Sequence, residues 1–293
     1  MTGRIVVFGD VIDDIVVVPN GPIRGDTDTP SSIRHRAGGS AANVASWLGR
    51  QGVGVDFVGR VAASDVARHS ENLAGFGVTA RLSADDDLPT GTIVVIVDGD
   101  SRSMLTERGA NDHLSADQVS DDLLDGATLV HFAGYSIYHG ENQDTISHLF
   151  ERAASRGVAV SVDPASAGSL VDFGVERFLA LITGASVLLP NLDEGKVLTG
   201  LDDPPAVADA LAQRFPLVAL TMGDGGVIVA ERGKVQVRVD AVRTARVDPT
   251  GAGDAFSAGF LAEWVRTSDA VAAARAGVAV AAEAVTIVGG RPL

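Results

Sequence analysis

Asp248-Pro249-Thr250-Gly251-Ala252-Gly253-Asp254 is followed by Phe256, Phe260, Leu261, Trp264 and Val265, whose spacing places one apolar stripe on a helix over residues 255–266. The glycine loop therefore opens into a helix N-terminus. Gly251 and Gly253 let backbone approach a ligand, and the free N–H groups of the first turn, at the positive end of the helix dipole, form a site for a phosphate or a developing oxyanion. Asp254 stands in or beside that turn, where the dipole favours its ionised form, so it can take a proton while the neighbouring amides hold negative charge. A carboxylate beside an anion hole points to group transfer to a hydroxyl. The same spacing also suits a plain glycine turn with Asp254 as an ordinary first-turn acid. Two other glycine-loop schemes are excluded: Phe256 occupies the place of the third glycine of a dinucleotide fingerprint, and the chain has no GxxxxGK[ST] phosphate loop.

Outward from that loop, short β-branched runs recur at residues 5–8, 55–58, 92–97, 129–132, 158–162, 187–189, 217–221, 227–230 and 235–239. Most are apolar throughout, as strands covered on both faces are. Helical spacing fills residues 41–51, 65–76, 143–156 and 205–214 between them. The alternation predicts an α/β fold with a mainly parallel sheet between layers of helices. Residues 14–36 and 90–106 break the rhythm, and the second segment holds Asp98-Gly99-Asp100 between two strand-like runs, a hairpin signal. Together they are expected to form a small β layer projecting from the main sheet. Without repeats, low-complexity tracts or a flexible linker, residues 1–293 read as a single domain with that layer inserted.

The 293 residues are 46% hydrophobic, 21% charged and 5% aromatic, a globular composition with enough chain for a sizeable core. Lys and Arg total 23 against 38 Asp and Glu, and the net charge of −15 repels nucleic acid and anionic membrane surfaces. No apolar stretch is long enough to cross a bilayer, and the N-terminus enters a strand without the apolar region of a signal peptide. The chain has no cysteine, which removes disulfides and thiolate chemistry and fits a reducing, cytoplasmic compartment. The six histidines show no metal spacing, and His131 and His139 read as structural or surface groups.

Ala37-Gly38-Gly39-Ser40-Ala41-Ala42-Asn43 precedes a second apolar-striped helix, where glycines let the chain pass close to a ligand and the Asn amide can both donate to and accept from hydroxyls. Taken with Asp248–Asp254, it resembles the two signatures of the PfkB, or ribokinase-like, family of carbohydrate kinases, close to G-G-x-x-x-N and D-T-x-G-A-G-D. The resemblance spans nearly the whole chain and implies a three-layer sandwich with a β-sheet lid from about 14–36 and 90–106. It further implies that Asp254 is the base, that Gly251, Ala252 and Gly253 hold the transferred phosphoryl group, and that Asp10, Asp14, Gly38, Gly39 and Asn43 bind the sugar. Asn191-Leu192-Asp193-Glu194 is similar to the family's N-x-x-E motif, which implies a Mg²⁺ site in which Glu194 acts through water; the same residues also spell a capping box. Thr221, Gly223 and Gly226 match the T-x-G-x-x-G segment that contacts ATP, and Asn191 is grouped with them. Asp248 and Thr250, with carbonyls in 287–290, match the region where many members bind a monovalent cation such as K⁺. Pro249 replaces the usual Thr and removes one N–H, while Ile12 and Ser40 stand where ribokinases proper carry Asn and Lys.

The function expected from the resemblance is Mg²⁺·ATP-dependent phosphorylation of a pentose, hexose or sugar acid under a closing lid, without nucleic-acid or membrane partners. A nucleoside kinase on the same scaffold is the alternative, disfavoured because 14–36 and 90–106 contain no aromatic residue to stack a base. Arg34, Arg36, Arg102 and Arg108 leave a phosphosugar acceptor open, and a non-catalytic sugar or nucleotide sensor is a third reading. An uncovered lid edge would admit a homodimer.

Overall fold

Ile5, Val6, Val7 and Phe8 have no solvent exposure and alternate between two cores, Val6 and Phe8 joining one, Ile5 and Val7 the other. A strand apolar at every position is what a sheet covered on both faces requires. In the computed structural model, which describes residues 3–98, 101–138 and 143–293, that strand, β1 (Arg4–Phe8), lies inside a nine-stranded sheet. Across the sheet the order is β13 (Val237–Val239), β12 (Val227–Glu231), β11 (Leu217–Thr221), β10 (Val187–Leu188), β9 (Ala159–Asp163), β8 (Leu129–Ala133), β1, β4 (Gly54–Ala62) and β5 (Val78–Asp85). Pairing is parallel from β11 to β5, and the β11–β12–β13 edge is antiparallel. The patterning of residues 78–85 gives no continuous apolar run, because β5 is an edge strand with polar Thr79, Arg81 and Ser83 among its residues, and it was not expected.

The two segments that break the strand–helix rhythm form a second sheet, in the order β3 (Ser31–Gly38), β2 (Ile12–Pro19), β6 (Gly91–Asp98) and β7 (Ser101–Glu107), with β2 and β6 parallel. The Gly99-Asp100 turn, the side chain of Arg102 and His139 lie outside the described residues. Register puts Asp14, Ile93 and Thr106 on one face of this sheet and Ile33, Val17 and Ile96 on the other.

Helices α1 (Ser40–Arg50), α2 (Val66–Ala74), α10 (Ala252–Thr267) and α11 (Ala270–Ala284) bury their apolar residues on the Ile5–Val7 side of the main sheet. The other face is covered by α3 (Asp121–Asp125), α4 (Tyr135–Tyr138), α5 (Gln143–Ser155), α6 (Ala167–Phe173), α7 (Val175–Leu181), α8 (Leu192–Thr199) and α9 (Pro204–Arg214). Among the described residues no helix is long and apolar enough to cross a membrane. Because β1 has β8 on one side and β4 on the other, connections leave its carboxyl end in opposite directions and open a crevice there. Asp10, Tyr135, Asp163, Asn191 and Thr221, which follow or end β1, β8, β9, β10 and β11, all border it.

Candidate active site

Gly251 caps α10 with a φ of 75°, and a β-carbon on it would lie 2.5 Å from Gly290 Cα, so only glycine fits. Among the described residues, the N–H groups of Gly251, Gly253 and Asp254 have no hydrogen-bond partner. Ala252 N–H donates back to Pro249 O at 3.3 Å, so this member of the expected anion hole is occupied by the turn. Around Gly253 a built β-carbon would meet no atom within 4 Å, leaving open space above the first turn. Asp248 anchors the loop by accepting from Thr250 N–H at 2.9 Å and from Gly289 N–H at 3.0 Å.

Asp254, half-buried on the first turn of α10, is held from α1: Ser40 Oγ donates to Oδ1 at 2.7 Å and Asn43 Nδ2 to Oδ2 at 2.8 Å. Burial pushes its pKa up to about 8, against the pull of those two hydrogen bonds, and the negative charges of Asp163 and Asp10 add to the rise. The helix dipole was expected to keep this acid ionised; desolvation outweighs it.

Asp10 is buried, and its two oxygens accept from Ser40 N–H at 3.0 Å and Ala41 N–H at 3.1 Å. It therefore caps α1, a task that the side-chain-less Gly39 at the N-cap cannot perform, and its expected grip on a sugar is limited by that duty. Asp14 on β2 faces the same cleft without a hydrogen bond in the described protein. Burial pushes its pKa up to about 6, helped by Asp10 and Asp13 and opposed by Arg291. Gly38 lies directly beneath it, since a β-carbon there would come 2.1 Å from Asp14 Oδ2.

Asn191 and Glu194 form the capping box of α8: Asn191 Oδ1 accepts from Glu194 N–H at 2.9 Å, and Glu194 Oε2 accepts from Asn191 N–H at 2.9 Å. Glu194 is only 1% exposed. Burial and the neighbouring Asp163 push its pKa upward, and burial does the same to Asp163. Asp163 was missed in the sequence, where only its place at the end of a parallel strand could have marked it; it accepts from Ala165 N–H at 2.8 Å and Ser257 Oγ at 3.2 Å. Tyr135 was also missed and lines the cleft from outside the segments searched for aromatics. His131 is fully buried 3.1 Å from Ser161 Oγ, and burial depresses its pKa to about 3, so it is a neutral core residue.

The cleft so built has a volume of about 590 Å³. A second, of about 600 Å³, lies between the β11–β12 turn, the 241–246 segment and α11. The two meet at Thr221, Pro249, Ala252, Gly253 and Phe256, so the glycine loop is their common wall. Gly223 opens onto the second cleft, with no atom within 4 Å of its built β-carbon. Gly226 also borders it, but a β-carbon there would strike Val239 O at 2.1 Å, so its glycine closes the hairpin against β13. Buried Glu194 and half-buried Asp163, both with raised pKa values, are a donor set of hard oxygens that fits Mg²⁺. Asp248 and Thr250 lie at the foot of the glycine loop.

The model of the pfkB family carbohydrate kinases matches residues 2–292. The chain is 26% identical to the ribokinase of Haemophilus influenzae over 296 residues, covering 98% of this chain and 93% of that one. Its fold resembles that of adenosine kinase from Sinorhizobium meliloti, with a TM-score of 0.89, 24% identity and coverage of 100% and 97%. It also resembles an E. coli protein assigned as ribokinase II and solved in complex with ATP and Mg²⁺, at a TM-score of 0.86, 21% identity and coverage of 99% and 94%. From the first strand to the C-terminal glycines, the chain belongs to the pfkB family of carbohydrate kinases and is a phosphotransferase.

Proposed function

We propose that the protein transfers the γ-phosphoryl group of ATP to a hydroxyl of a small sugar, with Asp254 as general base. One observation carries the reading: a carboxylate beside unpartnered first-turn amides, at the wall shared by two clefts, each large enough for a small ligand. The nucleotide occupies the cleft bordered by Thr221, Gly223 and Gly226, and the acceptor occupies the one containing Asp14, Gly38, Gly39 and Asn43. Phosphoryl transfer through a loose transition state needs alignment and charge stabilisation above all. Ser40 and Asn43 fix the Asp254 carboxylate, and a sugar hydroxyl donating to it favours the ionised form that burial opposes. The N–H groups of Gly251 and Gly253 face the equatorial oxygens of the group in transfer. Glu194 and Asp163 would hold Mg²⁺, which would neutralise phosphate charge, and Asp248 and Thr250 would hold a K⁺ that steadies the loop.

The second sheet, with 14–36 and 90–106 as its centre, acts as the lid of a single 1–293 domain and excludes water from the acceptor. Its outward face leaves Ile33 58% and Leu105 61% exposed, which a homodimer through the lid would cover. The net charge of −15 disfavours nucleic acid and anionic membranes as partners, and the lack of cysteine suits the cytoplasm. A nucleoside acceptor is the second reading, favoured by the Tyr135 ring on the acceptor cleft and by the likeness to an adenosine kinase fold. An ATP-consumption screen across pentoses, hexoses, sugar acids, phosphosugars and nucleosides, with Asp254→Asn as blank, decides between them. Turnover of nucleosides alone overturns the sugar, and turnover by Asp254→Asn near the wild-type rate overturns the base.

A further inference from the structure

Arg291 is 7% exposed, yet no carboxylate lies within ion-pair distance of it among the described residues. Its Nη2 donates to Gly38 O at 2.8 Å, its Nη1 donates to Asn72 Oδ1, and its Nε is buried without a partner. A buried guanidinium left short of partners is destabilising unless a nearby negative field compensates it. That field comes from Asp14, Asp10 and Asp13.

The contact on Gly38 is where this charge meets the acceptor cleft. Gly38 ends β3, lies under the Asp14 carboxylate, and leads through Gly39 into α1, whose Ser40 and Asn43 hold Asp254. The residues just before Arg291 grip the same machinery: Gly289 N–H donates to Asp248, Gly290 O accepts from Trp47 Nε1 at 2.9 Å, and Gly290 packs against Gly251. We propose that Arg291 is a positioning residue for the acceptor: it holds the Gly38 peptide, directly beneath the Asp14 carboxylate, in the geometry that receives the hydroxyls. A lysine could keep the charge but could not reach Gly38 O and Asn72 Oδ1 together with one planar fork. The acceptor arm of this proposal rests on the kinase reading above; the electrostatic arm does not.

The charged groups facing Asp14 are Asp10 after β1, Asp13 on its own strand, Arg36 opposite it on β3, Arg108 on the cleft wall and Arg291. The test is a carboxyl ¹³C NMR titration of the full-length unliganded protein, with the Asp14 signal assigned by its loss in Asp14→Asn. In Arg291→Gln the Asp14 midpoint should rise by at least about half a pH unit, and in Arg291→Lys it should stay near the wild-type value. For whichever of D-ribose, D-fructose or adenosine is turned over, KM for the acceptor should rise about tenfold in Arg291→Gln and by less in Arg291→Lys, with KM for ATP within about twofold. An unmoved Asp14 midpoint in folded Arg291→Gln, or an equal rise in KM for ATP, overturns the proposal. If Arg291→Gln does not fold, Arg291→Lys decides: a raised acceptor KM supports the role and an unchanged one ends it. If none of the three is turned over, the acceptor reading fails while the Asp14 midpoint still judges Arg291.

Discussion

Asn43 and Asp254, 211 residues apart in the chain, are joined by a hydrogen bond of 2.8 Å from Nδ2 to Oδ2. The bond ties α1 to α10 and makes one site out of two glycine-led helix starts. The loop before α10 leaves its helix N-terminus open while Asp10 caps that of α1, and the acid of the first is oriented by the amide of the second. The amide cannot accept the proton, so the arrangement orients Asp254 without competing for its role.

Asp254→Asn should fold and bind ATP but lose at least ~10²-fold in kcat, because the amide keeps the shape and removes the base. Since burial raises the native carboxyl from its ordinary value to about 8, the wild type loses stability from the unfolded pKa upward, so the uncharged variant should match it only below about pH 4 and be the more stable protein at pH 7 and at pH 9. Turnover near the wild-type value would end the base assignment.

Asp254 and Asp14 have folded pKa values of about 8 and about 6, both above the ordinary carboxylate range. The folded state therefore binds protons that the unfolded chain has released. That contribution is fully present below the unfolded value and is lost as pH rises through the folded ones. Thermal melts of unliganded protein should fall steadily from about pH 5 to pH 8.5, and Mg²⁺ with ATP should flatten the decline. A melting temperature that climbs across this window would contradict the raised values.

Gly251→Ala and Gly253→Ala should separate structure from chemistry. At Gly251 the φ of 75° and the 2.5 Å approach to Gly290 Cα make a methyl group destabilising, by about 1–3 kcal/mol. Gly253 sits within α10 with open space around it, so alanine should leave the melting temperature unchanged or slightly higher. Its methyl would fill the space for the phosphoryl group, and kcat should drop by at least ~10-fold. Equal activity in Gly253→Ala and wild type would place the phosphoryl group elsewhere.

Glu194→Gln can keep the acceptance from Asn191 N–H, but its amide nitrogen then faces Asn191 Nδ2, which in the wild type donates to Oε1 at 2.6 Å. The Mg²⁺ concentration for half-maximal activity should rise about tenfold, with a modest fall in melting temperature. A titration of activity against Mg²⁺ reads the requirement and a thermal melt reads the stability; an unchanged requirement would leave Glu194 as a cap alone.

The helix after Asp254, the apolar strands and the two irregular segments were legible because periodicity and glycine placement are local properties. Residues 78–85 were not, because an edge strand with one face uncovered has no continuous apolar run. Asp163 and Tyr135 carried no motif, and only the parallel order of β8 and β9 beside β1 turns their strand-end positions into walls of the cleft. Asp10 shows the opposite case: the family resemblance implied a sugar ligand, and the fold assigned its oxygens to the amides of α1.

By itself the sequence determined the alternation of elements and the two glycine-led helix starts, since both depend on residues a few positions apart. Tertiary structure decided the protonation of Asp254, the pairing of Asp163 with Glu194 and the reach of Arg291 to Gly38. Those depend on desolvation and on charges brought together from distant parts of the chain, quantities that exist only once the layers have packed.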